Sequence, residues 1–184
     1  MKKITYVTGN KFKILTAEKY LGKMGFEVEG KKIDCPEIQA DSIEEIAAFS
    51  AKWAANELGC PVLKNDSGAV VPALKGFPGP YTHYVSDTLD AEGILKLMAG
   101  EADRSVYFLE CLAYCCPGEE PIVFTSRSNG TIALEASGDF GWGWDRIFIP
   151  EGETVPMAHF DDDERVRFWD EKAYTQLAEY LSKR

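Results

Sequence analysis

A single carboxylate, that of Asp66, stands between two short apolar runs, and this arrangement constrains the fold more than any other stretch of the sequence. Residues 61–63 (Pro-Val-Leu) and 69–71 (Ala-Val-Val) have the composition of a buried β-strand. Ser67 and Gly68 predict a point where the backbone bends or another group approaches closely. Residues 65–68 (Asn-Asp-Ser-Gly) are equally typical of a hairpin turn, which local composition alone favours. Asp66 is therefore either a ligand-binding carboxylate or an exposed turn residue.

Length and composition predict one globular domain over residues 1–184, because a hydrophobic content of 45% supplies a core. No apolar run approaches the ~20 residues of a spanning helix. The segment before Gly9 is too short for a signal peptide, so we expect a cytoplasmic protein with no membrane contact. The net charge of -10 argues against a nucleic-acid polymer as partner. A small polyanion chelated by a divalent cation is compatible with this charge.

The five cysteines are odd in number and irregularly spaced, which argues against a disulfide framework. Cys111, Cys115 and Cys116 resemble a metal cluster at first sight. They fall in an alternating run over residues 106–116, where Cys111 and Cys115 share one strand face and Cys116 points to the other. We therefore predict buried thiols in a strand.

The pattern of apolar residues predicts helices alternating with strands at first and an antiparallel set of strands later. A capping box at Ser42 opens a helix that runs to Gly59, with Ile46, Phe49 and Trp53 leading a broad apolar face that includes Ala47, Ala54 and Leu58. The other expected elements are strands over residues 3–7, 26–33, 106–116, 122–127 and 130–134, and helices over residues 10–23, 91–98 and 161–180.

The loop Thr8-Gly9-Asn10 lies between the first strand and the first helix. Backbone N–H groups at a helix N-terminus form a ready site for an anion, and Lys11 and Lys13 are close in sequence. An ordinary connection with solvated lysines explains the same residues, so the loop alone does not decide between the two.

Residues 138–145 contain Trp142 and Trp144 separated by Gly143. Tryptophans in a glycine-rich loop suit a platform on which a flat ring stacks. Packing of the loop onto the sheet is an equally good explanation.

Five motifs, in this order, resemble the inosine triphosphate pyrophosphatase family, the Ham1-like non-canonical purine nucleoside triphosphate pyrophosphatases. They are residues 8–13 (Thr-Gly-Asn-Lys-Phe-Lys), 36–40 (Pro-Glu-Ile-Gln-Ala), 65–68 (Asn-Asp-Ser-Gly), 76–79 (Gly-Phe-Pro-Gly) and 141–150 (Gly-Trp-Gly-Trp-Asp-Arg-Ile-Phe-Ile-Pro). The resemblance implies an α/β fold in which a long, curved mixed β-sheet with flanking helices divides two lobes. It also implies a homodimer.

The same resemblance implies hydrolysis of a Mg²⁺-bound nucleoside triphosphate to the monophosphate and pyrophosphate, a reaction that cleanses the nucleotide pool. It makes Glu37 and Asp66 the metal ligands and Asp66 and Lys13 the catalytic residues, because a hard cation takes oxygen ligands and a cation offsets phosphoryl charge. The implied substrate-binding residues are Thr8, Gly9, Asn10, Lys13, Ser67, Gly68, Trp142, Gly143, Trp144, Asp145 and Arg165.

Three departures from the family pattern affect what this resemblance implies. Asn65 stands where the family has an acid. A lysine that many members carry near Ser50 is matched only by Lys52, and two positions along a helix is a different face. Residues 165–173 lack the family's purine-contacting Ser-His-Arg, although Arg165 or Arg167 could supply one cationic contact. The sequence therefore leaves the base and sugar open, and it leaves a nucleotide-binding protein with altered specificity or lost catalysis as the alternative.

Overall fold

A six-stranded mixed β-sheet with the strand order β2-β1-β3-β4-β5-β6 forms the centre of the fold. The computed structural model describes residues 2–183. β1 pairs in parallel with β2 and β3, whereas β5 and β6 are antiparallel. The predicted α/β class with a mixed sheet and flanking helices is confirmed. The elements are β1 (Lys2–Val7), α1 (Lys11–Lys23), β2 (Phe26–Lys31), α2 (Ile43–Leu58), β3 (Val62–Val70), α3 (Thr82–Leu97), β4 (Ser105–Cys115), β5 (Ile122–Ile132), β6 (Phe148–Pro150), α4 (Asp162–Arg165) and α5 (Lys172–Ser182).

The chain divides into two compact units. Unit 1 contains the residues up to Asp66, Glu110–Ser126 and the residues from Glu171 onward; unit 2 contains Ser67–Leu109 and Arg127–Asp170. Strands β3, β4 and β5 contribute residues to both units. The single domain over residues 1–184 stays a prediction.

β3 is one uninterrupted strand from Val62 to Val70, so the hairpin turn that local composition favours at residues 65–68 is wrong. The apolar residues on either side decide the conformation. Val62, Leu63 and Ala69 are fully buried, and a strand that is anchored at both ends carries the polar residues between them in extended form. Asp66 therefore lies within a strand and is half-buried.

α2 begins at the predicted cap, where Ser42 Oγ accepts a hydrogen bond from Glu45 N at 3.2 Å, and it ends at Gly59 in the left-handed conformation. The predicted apolar face is only partly right. Phe49 is 39% exposed, and Ile46 and Trp53 are half-buried. Small side chains let a helix pack closely, and the buried face consists of Ile43, Ala47, Ser50, Ala51, Ala54 and Ala55.

α1 and the antiparallel strands follow the predictions with shifted ends. The helix predicted over residues 10–23 is confirmed as Lys11–Lys23, and β2 ends two residues earlier than predicted. The third strand expected over residues 130–134 is the end of β5, which continues to Ile132. None of the five cysteines, all within the described residues, is in a disulfide; Cys111 and Cys115 are buried in β4 as predicted, whereas Cys116 lies beyond the end of the strand and is half-buried.

Unit 2 packs its core around Phe108. Three aromatic rings pack edge-to-face with the Phe108 ring, at centroid distances of 6.0 Å for Trp144, 5.0 Å for Phe148 and 5.3 Å for Trp169. Trp144 is 1% exposed. Its ring is therefore part of the core.

α3 is twice as long as the helix predicted over residues 91–98. The helix begins at Thr82 and is interrupted at Asp90, whose φ of 52° is not helical. Asp90 Oδ1 accepts hydrogen bonds from Glu92 N at 2.8 Å and from Gly93 N at 3.1 Å, so it caps the second half. The predicted helix is this second half.

The C-terminal helix predicted over residues 161–180 is two helices. α4 ends at Arg165, a 3-10 turn follows, and Trp169 is extended with a ψ of 131° before α5 begins at Lys172. The extended residue directs the Trp169 ring to Phe108 in unit 2, and burial of an aromatic ring outweighs the loss of one helical turn. Of the helices within residues 2–183, none has the length and apolar character needed to cross a membrane.

Candidate active site

The loop between β1 and α1 is held by its own polar side chains. Asn10 Oδ1 caps α1 by accepting from Phe12 N at 2.9 Å and from Lys13 N at 3.3 Å. Thr8 Oγ1 accepts from Asn10 N at 3.1 Å. These bonds use the acceptor atoms of both side chains, so the Thr8 hydroxyl hydrogen and Asn10 Nδ2 are the groups that suit an anion.

Lys32 is a basic residue beside this loop that the sequence prediction missed. A Cβ atom added to Gly9 would lie 3.2 Å from Lys32 Cδ, so the lysine stem passes over the glycine. The available signal was the place of Lys32 near the end of the strand predicted over residues 26–33, and in the structure the register of β1 and β2 pairs Val7 with Lys31. Residues that follow two paired parallel strands emerge at the same edge of the sheet.

Lys13 and Asp66, the two predicted catalytic residues, belong to one charged cluster in unit 1. Lys13 is half-buried and its Nζ donates to the backbone oxygen of Asn65 at 3.3 Å. Burial lowers the pKa of Lys13, and the negative charges of Asp66 and Glu110 oppose that shift. The hydrogen bond to Asn65 therefore fixes the direction of the positively charged Lys13 side chain.

Glu110 of β4 is a functional candidate that sequence reasoning missed. Its carboxylate accepts from Asn65 Nδ2 at 2.8 Å, from Tyr174 OH at 3.3 Å and from Ser126 Oγ at 3.4 Å. Burial raises the pKa of Glu110 to about 7, and the Lys13 charge and these three donors oppose the shift. The signal was present in the sequence, because Glu110 is the one charged residue in the run 106–116.

Glu37 and Lys52 lie on exposed parts of unit 1. Glu37 belongs to the irregular segment between β2 and α2 and is exposed. Lys52 forms a salt bridge of 2.5 Å with Glu120 in the turn between β4 and β5. Lys52 therefore forms an ion pair with an acid, which agrees with the expectation from the sequence that it lies on a different helix face from Ser50.

Trp142 is the predicted stacking residue that the structure leaves accessible. It is 43% exposed, and its ring stacks on His83 at a centroid distance of 6.2 Å and an interplanar angle of 27°. Trp144, also predicted to bind substrate, is buried in the core, and its contact with substrate stays a prediction. The sequence prediction missed His83, because nothing in its local sequence indicates that α3 lies beside residues 138–145, called the tryptophan loop below.

Asp145 and Arg165 fix the tryptophan loop from within unit 2. Asp145 Oδ2 accepts from Trp142 N at 3.1 Å and binds the guanidinium of Arg165, which also binds Asp162. Burial raises the pKa of Asp145 to about 6, opposed by the Trp142 N–H and by Arg165. Arg165 is 6% exposed and its charge is bound by two carboxylates, and its predicted contact with substrate stays a prediction. Arg167, the other cation considered, is exposed and binds Glu153 at 3.3 Å.

The remaining predicted substrate-binding residues lie in unit 2 and have close neighbours. Ser67 is half-buried and Gly68 buried in the second half of β3. Gly143 packs against α3 so closely that a Cβ atom would lie 2.7 Å from Ser86 Oγ. The absence of a side chain at Gly143 thus allows the tryptophan loop to approach α3.

The sequence profile of the Ham1 family matches residues 4–180 of this chain. The chain belongs to the Ham1 family. It is 45% identical over 179 residues to the dITP/XTP pyrophosphatase of Methanopyrus kandleri, a match that covers 97% of this chain and 95% of that protein. The dITP/XTP pyrophosphatase of Methanosarcina mazei is 45% identical over 90% of this chain and 89% of its own length. A HAM1 protein from Coxiella burnetii has a similar structure, with a TM-score of 0.82, 25% identity and full coverage of both chains.

The donor set of this Ham1 chain fits a hard cation such as Mg²⁺. The predicted ligands, Glu37 and Asp66, offer carboxylate oxygens, and Asn65 Oδ1 is a buried oxygen with no hydrogen-bond donor among the described residues. Within residues 2–183 there is no group of three or more His, Cys, Asp or Glu arranged to hold a metal. Mg²⁺ needs no such cage, because it retains waters and is commonly bound by one or two carboxylates plus substrate phosphates.

Proposed function

We propose that this protein hydrolyses nucleoside triphosphates between the α and β phosphates, releasing the monophosphate and pyrophosphate, and so removes non-canonical purine nucleotides from the pool. Relatives named dITP/XTP pyrophosphatase over nearly the whole chain support this proposal. The observation that carries it is the joining of Lys13 to the backbone of Asn65, directly before Asp66. This contact supports the proposal, because Lys13 is a cation suited to binding phosphate and the adjacent Asp66 is a carboxylate suited to activating water.

The phosphate chain binds at the β1–α1 loop. The Thr8 hydroxyl, Gly9 and Asn10 Nδ2 contact phosphoryl oxygens, and Lys13 offsets the negative charge that builds on them and on the leaving pyrophosphate. The half-burial of Lys13 strengthens this effect, since a charge is screened less away from water.

Asp66 orients the attacking water and accepts its proton. Glu37 and Asp66 would hold Mg²⁺, which would supply Lewis-acid polarisation of the phosphoryl oxygens. Ser67 and Gly68 follow Asp66 along β3 and contact the substrate through the hydroxyl group and the backbone.

Trp142 stacks on the base, and Gly143 and Asp145 maintain the shape of its loop. The Trp142 N–H bond to Asp145 holds the ring in place before the substrate arrives. His83, stacked against the same ring, takes part in the base site in place of the missing Ser-His-Arg. This arrangement favours a purine, whose larger ring gains more from stacking.

We place the enzyme in the cytoplasm as a homodimer that binds neither a nucleic-acid polymer nor a membrane. Its free thiols are those that a reducing compartment maintains. Exposed aromatic side chains at Phe77, Tyr81 and Tyr84 supply apolar surface for the partner copy. Light scattering coupled to gel filtration, with a dimer mass expected, tests the assembly.

A panel of triphosphates tests the activity. The purified protein with Mg²⁺ is given dITP, XTP, ITP and the canonical nucleotides, and pyrophosphate and monophosphate are measured. We expect the two products in equal amounts and faster turnover of dITP and XTP than of ATP. No turnover of any nucleotide refutes the proposal.

Tight nucleotide binding by calorimetry without any product supports the second candidate, a nucleotide-binding protein without catalysis. The observation that favours this candidate is Asn65, a neutral amide directly before Asp66.

A further inference from the structure

The carboxylate of Glu110 is the meeting point of a polar network inside unit 1 that the proposed reaction does not use. Three hydrogen bonds reach it from three elements: from Asn65 of β3 at 2.8 Å, from Ser126 of β5 at 3.4 Å and from Tyr174 of α5 at 3.3 Å. Tyr174 is fully buried and Ser126 is 4% exposed. A carboxylate held by donors on three elements has a fixed position.

Asn65 connects this carboxylate to both proposed catalytic residues. Its side-chain Nδ2 donates to Glu110, its backbone oxygen accepts from Lys13 Nζ at 3.3 Å, and Asp66 is the next residue of β3. A shift of the Asn65 backbone thus moves the acceptor of Lys13 and the backbone of Asp66 together. Glu110 also acts on Lys13 directly through its negative charge.

We infer that Glu110 is a positioning residue that fixes Lys13 and Asp66 in their reactive geometry through Asn65. The inference rests on the proposed function for its activity test. A neutral residue at 65 and a carboxylate at 110 form a complementary donor–acceptor pair at 2.8 Å. Two carboxylates at that separation would repel each other, so the negative charge belongs on one of the two positions and not on both.

The complementarity provides a reciprocal test. Glu110→Gln removes the charge, and we expect kcat to fall at least about tenfold while KM changes less than about threefold, because substrate contacts are retained. Asn65→Asp alone brings two carboxylates together and lowers kcat similarly. The double variant, Asn65→Asp with Glu110→Gln, restores one donor, one acceptor and the original charge, and we expect it to recover most of the lost kcat.

Controls separate positioning from general effects of charge and folding. Glu120→Gln removes the same charge from an exposed residue of unit 1 and should leave kcat within about twofold of the wild type. Tyr174→Phe deletes one of the three bonds to Glu110 without altering any charge, and we expect a smaller decrease in kcat of the same kind. It provides a second variant if Glu110→Gln does not fold. Unchanged kcat in Glu110→Gln, or a double variant no better than the single ones, overturns the inference.

Crystal structures of the variants test the positioning role without measuring turnover. In crystals of the wild type and of the double variant we expect the contact between Lys13 Nζ and the backbone oxygen of residue 65 to be retained, and in Glu110→Leu, whose side chain offers Asn65 Nδ2 no acceptor, we expect it to be lost. An unchanged contact in Glu110→Leu overturns the positioning role even if activity falls. A wild-type protein without turnover refutes the proposed function and leaves these crystal structures to decide the role of Glu110.

Discussion

Asp66 acts on its neighbours through a half-buried charge. Its carboxylate raises the pKa of Cys111, after burial as the larger cause, and opposes the lowering of the pKa of Lys13. Both effects place the negative charge within electrostatic range of Lys13 and Cys111 in unit 1. A side chain on the outside of a hairpin turn would be screened by water and have neither effect.

Asp66→Asn removes this charge and retains the shape of the side chain. We expect kcat to fall at least about 100-fold, because an amide accepts no proton from water and is a weaker metal ligand. Pyrophosphate release with dITP measures the change, and the thermal midpoint checks folding. Asp34→Asn, an exposed aspartate of unit 1, is the matched control and should retain activity. Near-normal turnover of the Asp66 variant excludes this residue from the mechanism.

Gly141 is required by the ion pair that fixes the tryptophan loop. It has a φ of 79°, and an added Cβ atom would overlap Asp145 Oδ2 and Arg165 Nη1. We expect Gly141→Ala to destabilise the protein by about 2–4 kcal/mol, through backbone strain and displacement of a buried ion pair. Denaturant unfolding measures this.

Gly152→Ala is the matched control for that substitution. Gly152 has a φ of 87° with no atom near the position of a Cβ, so it shares the strain and lacks the overlap. The expected cost is about 1 kcal/mol. Equal costs in the two variants would show that the ion pair tolerates the methyl group.

The grouping of some candidate site residues could be predicted from sequence because it depends on local order. Lys13 and Asp66 stand in short motifs, and both belong to the charged cluster. Features that depend on packing at a distance could not be predicted. Trp142 and Trp144 look alike in the sequence, and only contact with Phe108 makes Trp144 a core residue. Glu110 meets Asn65 through a pairing of residues 45 positions apart, which no local pattern encodes.

At the scale of elements, the helices were predicted where a cap and an apolar face coincide, and they were missed where tertiary contacts decide. α1 and α2 have Asn10 and Ser42 as caps and were found with ends correct to within one residue. The first half of α3 has no side-chain cap at its start. The break before α5 depends on the burial of Trp169, which the helical pattern of residues 161–180 conceals.

Asp90 separates the two halves of α3, and its side chain starts the second half. We expect Asp90→Ala to cost about 1–2 kcal/mol of stability, because it removes the acceptor of two backbone N–H groups and leaves at a φ of 52° a residue that tolerates positive φ less well than aspartate does. Asp90→Asn keeps an acceptor oxygen and tolerates positive φ, so it should cost a few tenths of a kcal/mol at most. Urea unfolding followed by circular dichroism compares the variants. Similar losses for Ala and Asn would mean that the charge, not the cap, matters.

At the scale of the whole molecule, two carboxyl groups make stability depend on pH in the same direction. Burial raises the pKa of Glu110 from 4.5 to about 7 and that of Asp145 from 3.8 to about 6. The folded chain therefore binds these protons more tightly than the unfolded chain does. Their contribution to stability is fully present below about pH 4 and is lost as the pH rises through about 7. Repulsion within a chain of net charge -10 acts in the same sense.

We therefore expect the free energy of unfolding to fall between pH 5 and pH 8, and Glu110→Gln to remove part of that slope. A neutral amide has no proton to lose, so the variant should exceed the wild type in stability at pH 8 by up to about 3 kcal/mol. Urea unfolding at fixed ionic strength over this range measures both curves, with Glu120→Gln as the control for net charge. An unchanged slope in Glu110→Gln would assign the pH dependence to general repulsion. We therefore expect Glu110→Gln to be more stable than the wild type and to have a lower kcat. The site penalises the charge of Glu110, and the benefit of this carboxylate is the geometry that it gives Lys13 and Asp66.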